Sequence, residues 1–248
     1  MEAVGRQFFD LEVWRGAFGP LLTEGLRNTL TLAAGAIAIG LVLGMLLALM
    51  GISRRWWVRL PAMIYIDVFR GLPAILTIVL VGLGLPLAGF SPFGRAPFFY
   101  AIMALGLIAT AYIAEIFRAG IQSVDRGQME SARSVGMSYL MAMRLVIIPQ
   151  GVRRVLPPLT NEFIAITKDS SLIFVLGLSL GQRELFRVGQ NIAQQQGNYS
   201  AVMLAGLFYM AITIPLTRLV NHLDRRLREG RPEAAAQELP AVARSEHA

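Results

Sequence analysis

The sequence predicts an all-α fold: a polytopic membrane helix bundle of five transmembrane helices, with the N-terminus outside and the C-terminus in the cytoplasm. Three observations predict it. Of 248 residues, 55% are hydrophobic and only 16% charged, whereas a soluble domain carries about 25% charged residues. The apolar residues gather in runs long enough to cross a bilayer, which takes roughly 17–25 helical residues each. The arginines collect on one side of those runs.

The elements follow in order. Residues 1–28 mix Glu2, Arg6, Asp10, Glu12, Arg15, Glu24 and Arg27 among apolar residues. That mixture is no cleavable signal peptide and reads as an N-terminal extracytoplasmic segment. Residues 29–222 form the transmembrane domain, with spans at about 29–52, 61–86, 98–118, 156–181 and 199–219. Backbone groups in lipid must be satisfied internally, so these are helices rather than strands. Gly40 and Gly44 make a small-xxx-small pair in the first span, and Gly82 and Gly84 lie near the end of the second. Close helix packing inside one subunit accounts for them better than a dimer seam does. Pro157-Pro158 is expected to open the fourth span, and Thr167-Lys168-Asp169-Ser170-Ser171 interrupts it. Such an interruption at membrane depth is stable only where it lines a cavity or is buried in protein. Residues 223–248, rich in Ala, Glu and Arg, read as a disordered cytoplasmic tail.

Orientation comes from charge. Arg54, Arg55 and Arg59 lie in the 52–60 loop, Arg118, Arg126, Arg133, Arg144, Arg153 and Arg154 in the 118–154 segment, and six more arginines in the tail. The opposite side holds only Arg6, Arg15, Arg27, Arg95, Arg183 and Arg187. The positive-inside tendency then places the 119–155 loop in the cytoplasm.

Composition also excludes functions. There is no cysteine, and histidine occurs only at His222 and His247, so disulfides, thiolate catalysis and a multi-histidine metal site are out. The only lysine is Lys168, between Thr167 and Asp169. A P-loop needs Gly-Lys followed by Ser or Thr, so this chain cannot build a nucleotide motor. The net charge of +7 reflects basic membrane loops rather than nucleic-acid binding. No cofactor is expected on this chain.

The polar stretch Gly127-Gln128-Met129-Glu130-Ser131-Ala132-Arg133-Ser134-Val135-Gly136, followed by Ile148-Pro149, has a recognisable spacing. An acidic-small-Ala triplet precedes a glycine by four residues, and an apolar-Pro pair comes later. Gly136 suits a sharp turn with φ > 0 between short helices. Glu130 is placed to meet a helix dipole or a partner's arginine. Charge alone would make this a solvated loop. The stretch resembles the cytoplasmic EAA loop of ABC importer permeases, with Ser131 in place of the middle alanine. Further segments resemble that family too: Tyr65-Ile66-Asp67-Val68-Phe69-Arg70-Gly71-Leu72-Pro73, Ala111 to Ile121, Leu156 to Ile164, and Lys168-Asp169-Ser170-Ser171-Leu172. Together they are similar to the polar amino acid subfamily, the histidine, glutamine and arginine type.

That resemblance implies a type I ABC importer permease fold and an import function for a polar amino acid. It implies two permease subunits, identical or related, two ATPase subunits that use ATP and Mg, and an extracytoplasmic amino acid-binding protein in a bacterial cytoplasmic membrane. It implies that Gly127, Gln128, Glu130, Ser131, Ala132, Gly136 and Pro149 couple to the ATPase. It also favours a substrate role for the fourth-span face.

The residues themselves support such a role. Glu162 and Asp169 are seven apart, so they return to within about 20° of one helix face, roughly 10.5 Å apart along the axis. Two carboxylates in lipid are costly, so they face water, a cation or both. They suit an ammonium or a cationic side chain. Arg70 or Lys168 suits a carboxylate, and Ser170 and Ser171 offer hydroxyls. A structural alternative pairs Asp67 with Arg70, Lys168 with Asp169, and Glu115 with Arg118. Rival functions are a passive amino acid channel or carrier, and an intramembrane enzyme using Glu162 and Asp169 as an acid–base pair.

Overall fold

The computed structural model describes residue 5, residues 7–94 and residues 96–229, and all regular structure there is helical. Helix α1, Leu11–Pro20, starts where the Asp10 carboxylate accepts the N–H groups of Glu12 and Val13. A widened turn at Leu21–Leu26 carries it into α2, Arg27–Gly51. The two make one apolar helix of 41 residues, Leu11–Gly51. Part of the 1–28 segment, expected to be extracytoplasmic, is therefore helix. Its Ala17 and Leu21 are buried against Leu185, Val188, Ala201 and Leu204, which the scattered charges of 1–28 concealed.

The second span is broken. Helix α3, Trp56–Gly71, and the stretch Ala74–Leu87 meet at an angle of 108°. That stretch begins with α4, Ala74–Val79, and widens at Leu80–Gly84. Leu72 between them is extended, with φ −84° and ψ 141°, because Pro73 excludes the α conformation from the residue before it. Wide turns at Leu80–Gly84 and Met143–Ile147 each end two residues before a proline, Pro86 and Pro149. The extra width moves the ring away from the carbonyl it would strike in a regular helix.

Helix α5, Pro97–Gln122, is the central element, with Ala101, Ala104, Leu105, Ala109 and Ile113 fully buried. α2 lies directly on it. A Cβ on Gly40 would come within 2.7 Å of Ile113, one on Gly44 within 3.0 Å of Ile113, and one on Gly106 within 2.9 Å of Ile39. These glycines therefore serve close packing within the chain, as the spacing of Gly40 and Gly44 suggested.

The amphipathic cytoplasmic pieces are α6, Arg126–Ser134, and the single turn α7, Tyr139–Ala142. Helix α8, Ile148–Asp169, follows and tightens into a narrower helical stretch, Ser170–Leu176, which stops at Gly177 with φ 65°. Pro157 and Pro158 do not open this helix. They lie inside it, and Pro149 occupies its first turn. Each interior proline withholds one hydrogen bond, from the carbonyls of Arg153 and Arg154. Packing holds the helix together across them. Val155 presses on Gly120 of α5, and Ile166, Ile173 and Leu176 enter the main core. Among the described residues, the helices long and apolar enough to cross a membrane are Leu11–Gly51, Pro97–Gln122 and Ser200–His222, with the broken α3–α4 pair as a fourth. α8, bearing Glu162, Lys168 and Asp169, falls outside that group.

Helix α9, Leu185–Gln196, and helix α10, Ser200–Glu229, complete the fold. The turn before α9 is fastened to α1–α2. Glu24 takes both prongs of Arg183 at 2.8 and 2.9 Å, Asn28 donates to the carbonyls of Gly181 and Arg183, and Leu185 N–H donates to Thr29. Helix α10 continues into the stretch expected as a disordered tail. The remainder, 230–248, lies outside the described residues.

Candidate functional site

Two surfaces stand out. The first is cytoplasm-type in composition and lies on α6 and α7. Asp125 caps α6 through the N–H of Gly127. At its other end Gly136, at φ 88°, donates to the Arg133 carbonyl, and Met137 donates to the Ala132 carbonyl. This paired bonding closes a helix around a left-handed residue. The chain then turns, and Ser138 caps α7 through the N–H of Met141. Ala132 is 6% exposed and forms the inner side of α6. Gln128, Glu130 and Ser131 face outward. Gln150 near the start of α8 donates to Gln128 of α6 at 3.2 Å, so the short helix is tied to the long one. Val135, Tyr139, Leu140 and Leu145 are 74%, 58%, 78% and 60% exposed. These large apolar side chains beside Glu130 make a knob with an apolar rim, and motif spacing did not single them out.

The second surface runs along one face of α8. Pro158, Glu162 and Asp169 project within about 40° of one another. Glu162 and Asp169 are partly buried. Neither takes part in the salt bridges found among the described residues. Next to Pro158 is a cavity of about 370 Å³ lined by Arg70, Tyr112, Glu115, Ser123 and Arg154. Arg70 lies 5.5 Å above the Tyr112 ring. Arg154 reaches across to the carbonyl of Ser123. The cavity itself offers a guanidinium fork from α3 for negative charge and an aromatic wall from Tyr112, and the α8 face that continues from Pro158 carries two carboxylates for positive charge.

The predicted residues are distributed unevenly over this site. Arg70 lines the cavity, whereas Glu162 and Asp169 lie further along the α8 face that continues from Pro158, about 6 and 16.5 Å along the helix axis. Ser170 is fully buried and donates to the Thr167 carbonyl, so its hydroxyl is used inside the helix. Ser171 is partly buried. Lys168 is exposed, one step of about 100° away from Asp169. Of the alternative ion pairs, Glu115–Arg118 forms. Arg70 turns to Tyr112 rather than pairing with Asp67. Tyr112 and Arg154 were not anticipated as site residues. Tyr112 sits in a quoted motif, but only the fold brings α3, α5 and α8 together around it.

Residues 40–229 match the family described as binding-protein-dependent transport system inner membrane component. The chain is 35% identical over 210 residues to the arginine transport system permease protein ArtQ of Bacillus subtilis (strain 168), covering 84% of this chain and 93% of that one. It is 35% identical over 212 residues to the glutamine transport system permease protein GlnP of Escherichia coli (strain K12), covering 84% and 94%. Its fold is similar to that in a crystal structure of an amino acid ABC transporter with histidines, with TM-score 0.74 and 38% identity, over 84% of this chain and 95% of the other.

Proposed function

This chain belongs to the family of binding-protein-dependent transport system inner membrane components, and from that premise we propose that it is the transmembrane subunit of an ABC importer for a polar amino acid. ATP is hydrolysed by separate ATPase subunits. A second permease subunit, identical or related, completes the pore, and an extracytoplasmic binding protein delivers the substrate. The chain crosses the cytoplasmic membrane five times, α8 with its tight extension being the fourth crossing, with the N-terminus out and the C-terminus in.

The observation that carries the substrate reading is the column of two carboxylates on α8, on the helix face that continues from Pro158 at the cavity of Arg70 and Tyr112. An amino acid's ammonium or cationic side chain is held by Glu162 and Asp169, and its carboxylate by the fork of Arg70. Coupling follows from continuity. α8 runs as one helix of 22 residues from Ile148 to Asp169, about 33 Å long. Closure of the ATPase pair displaces α6 and α7, the Gln128–Gln150 contact and the wide turn at Met143–Ile147 carry the displacement into α8, and the carboxylate column moves with it. Gly127, Ser131, Ala132 and Pro149 act here by shaping the knob and its junction to α8.

The relatives named for arginine, for glutamine and for glutamate/aspartate are 34–35% identical to the chain. Overall similarity therefore does not select a side-chain charge, and selection rests on the site and the binding protein. The test is a thermal-shift screen of the reconstituted complex against the twenty amino acids, followed by uptake of the hits into vesicles. ATP-dependent uptake supports the proposal. Downhill flux without ATP would establish a channel, and product formation by the purified chain would establish an enzyme.

A further inference from the structure

The junction between α2 and α3 lies outside both the carboxylate column and the α6–α7 knob, and its chemistry is specific. Arg54, Arg55 and Arg59 are exposed, and neither salt bridge among the described residues involves them. Trp56 and Trp57 between them are 68% and 57% exposed. The Arg55 guanidinium lies 5.6 Å from the centre of the Trp57 ring. Leu60 and Ile64 continue the exposed apolar side of α3.

An exposed indole is poorly matched to bulk water and well matched to the headgroup level of a bilayer, with an apolar body and a donating N–H. A guanidinium resting on an indole face keeps its N–H edge free, and that edge fits two phosphate oxygens at once. Three uncompensated arginines set among two such indoles complement a phosphate diester anchored in lipid. We propose that residues 53–60 bind the phosphate headgroup of an anionic phospholipid in the cytoplasmic leaflet; this rests on the orientation proposed above. The far end of α3 carries Arg70 at the cavity and ends at the Leu72–Pro73 break. A headgroup held at Arg54–Arg59 thus fixes one end of the helix whose other end presents Arg70 to the substrate.

The experiment uses the full chain with Trp14→Phe, so that Trp56 and Trp57 are the remaining two of its three tryptophans. Micelles are doped with brominated phosphatidylglycerol or brominated phosphatidylcholine, and tryptophan quenching is followed. Half-quenching is expected at a mole fraction at least about fivefold lower for phosphatidylglycerol, the preference that a single arginine supplies at an anionic surface. R54Q/R55Q/R59Q is expected to remove the preference while leaving quenching by phosphatidylcholine. Equal quenching by the two lipids, or a preference that survives the triple substitution, overturns the proposal. Displacement of phosphatidylglycerol by millimolar inorganic phosphate would assign the site to a free anion. Loss of quenching by both lipids when the partner ATPase is added would make the surface a protein contact; either result also overturns it. Micelles have no sides and the assay involves no transport, so its failure leaves the import reading standing.

Discussion

In the proposed crossing by α8, Asp169 and Glu162 would sit at a depth where an ionised carboxylate costs about 2.5 kcal/mol or more, and neither carboxylate has an ion-pair partner among the described residues. A chain that keeps two such groups on one face has a use for them. Asp169→Asn keeps the shape and removes the charge. It is expected to raise the KM for uptake by about tenfold, the loss of one charge-assisted contact of about 1.4 kcal/mol, while complex assembly stays intact. Unchanged uptake kinetics would make Asp169 structural. Glu184 shows the opposite logic. It is fully buried at the start of α9, where its carboxyl accepts the N–H groups of Phe186 and Arg187 and the hydroxyl of Tyr209. Burial pushes its pKa up to about 7 despite those donors. The folded chain therefore holds a proton that the unfolded chain, with a glutamate near about 4.3, has lost. Its stabilising contribution is complete below the unfolded value and disappears as pH rises through about 7. Thermal unfolding of the purified chain should show wild type losing Tm relative to Glu184→Gln between pH 5 and 8; parallel curves would mean the donors hold Glu184 ionised throughout. Glu162 and Asp169 stand out in the sequence because an acid in an apolar run is conspicuous at any register. Glu184 does not, since a single charge in an outer loop looks solvated until α9 and α10 close over it.

At the scale of elements, the helices were legible where apolar length and a terminator coincide, as in α5 between Pro97 and Gln122. Prolines were the source of error. Pro157-Pro158 looked like a helix start because Pro is favoured in a first turn, yet Val155 packing on Gly120 holds the helix through it. Pro73 looked harmless because hydropathy averages across it, yet it bends the second span by 108°. The α6–α7 knob was legible in its turn, since Gly136 does adopt positive φ, and illegible in its rim, since exposed Val135 and Leu140 resemble core residues in a string of letters. Glu130, the exposed acid within α6, makes coupling testable. Glu130→Arg keeps helix-forming length and reverses charge at the proposed contact with the ATPase. ATP hydrolysis by the assembled complex is expected to continue while uptake falls about tenfold, the scale of a lost contact to a charged group. Normal uptake by a correctly inserted variant would remove Glu130 from the coupling surface.

For the whole molecule, orientation decides whether these parts can work together. The knob must be in the cytoplasm to meet an ATPase, and the clamp of Glu24, Asn28 and Thr29 on the turn before α9 must then be outside. The two lie at opposite ends of the bundle in sequence terms: α8 leaves the knob and its extension ends at Gly177, shortly before Arg183. Charge bias supplies the sign, with arginine-rich 52–60 and 118–154 on the knob's side. The chain contains no cysteine, so single introduced thiols report position without background. Glu130→Cys should react with a membrane-impermeant maleimide only after spheroplasts are permeabilised. Gln182→Cys, in the turn pinned by Glu24, should react in intact spheroplasts. The reverse pattern would invert the topology, place the carboxylate column upside down relative to the motor, and put Arg54–Arg59 in the outer leaflet. Reaction of both from one side would mean that α8 and its extension do not cross the membrane at all. The two thiols bracket α8, the helix whose hydropathy alone does not make it a span, and so they test the fourth crossing together with the direction of all the others.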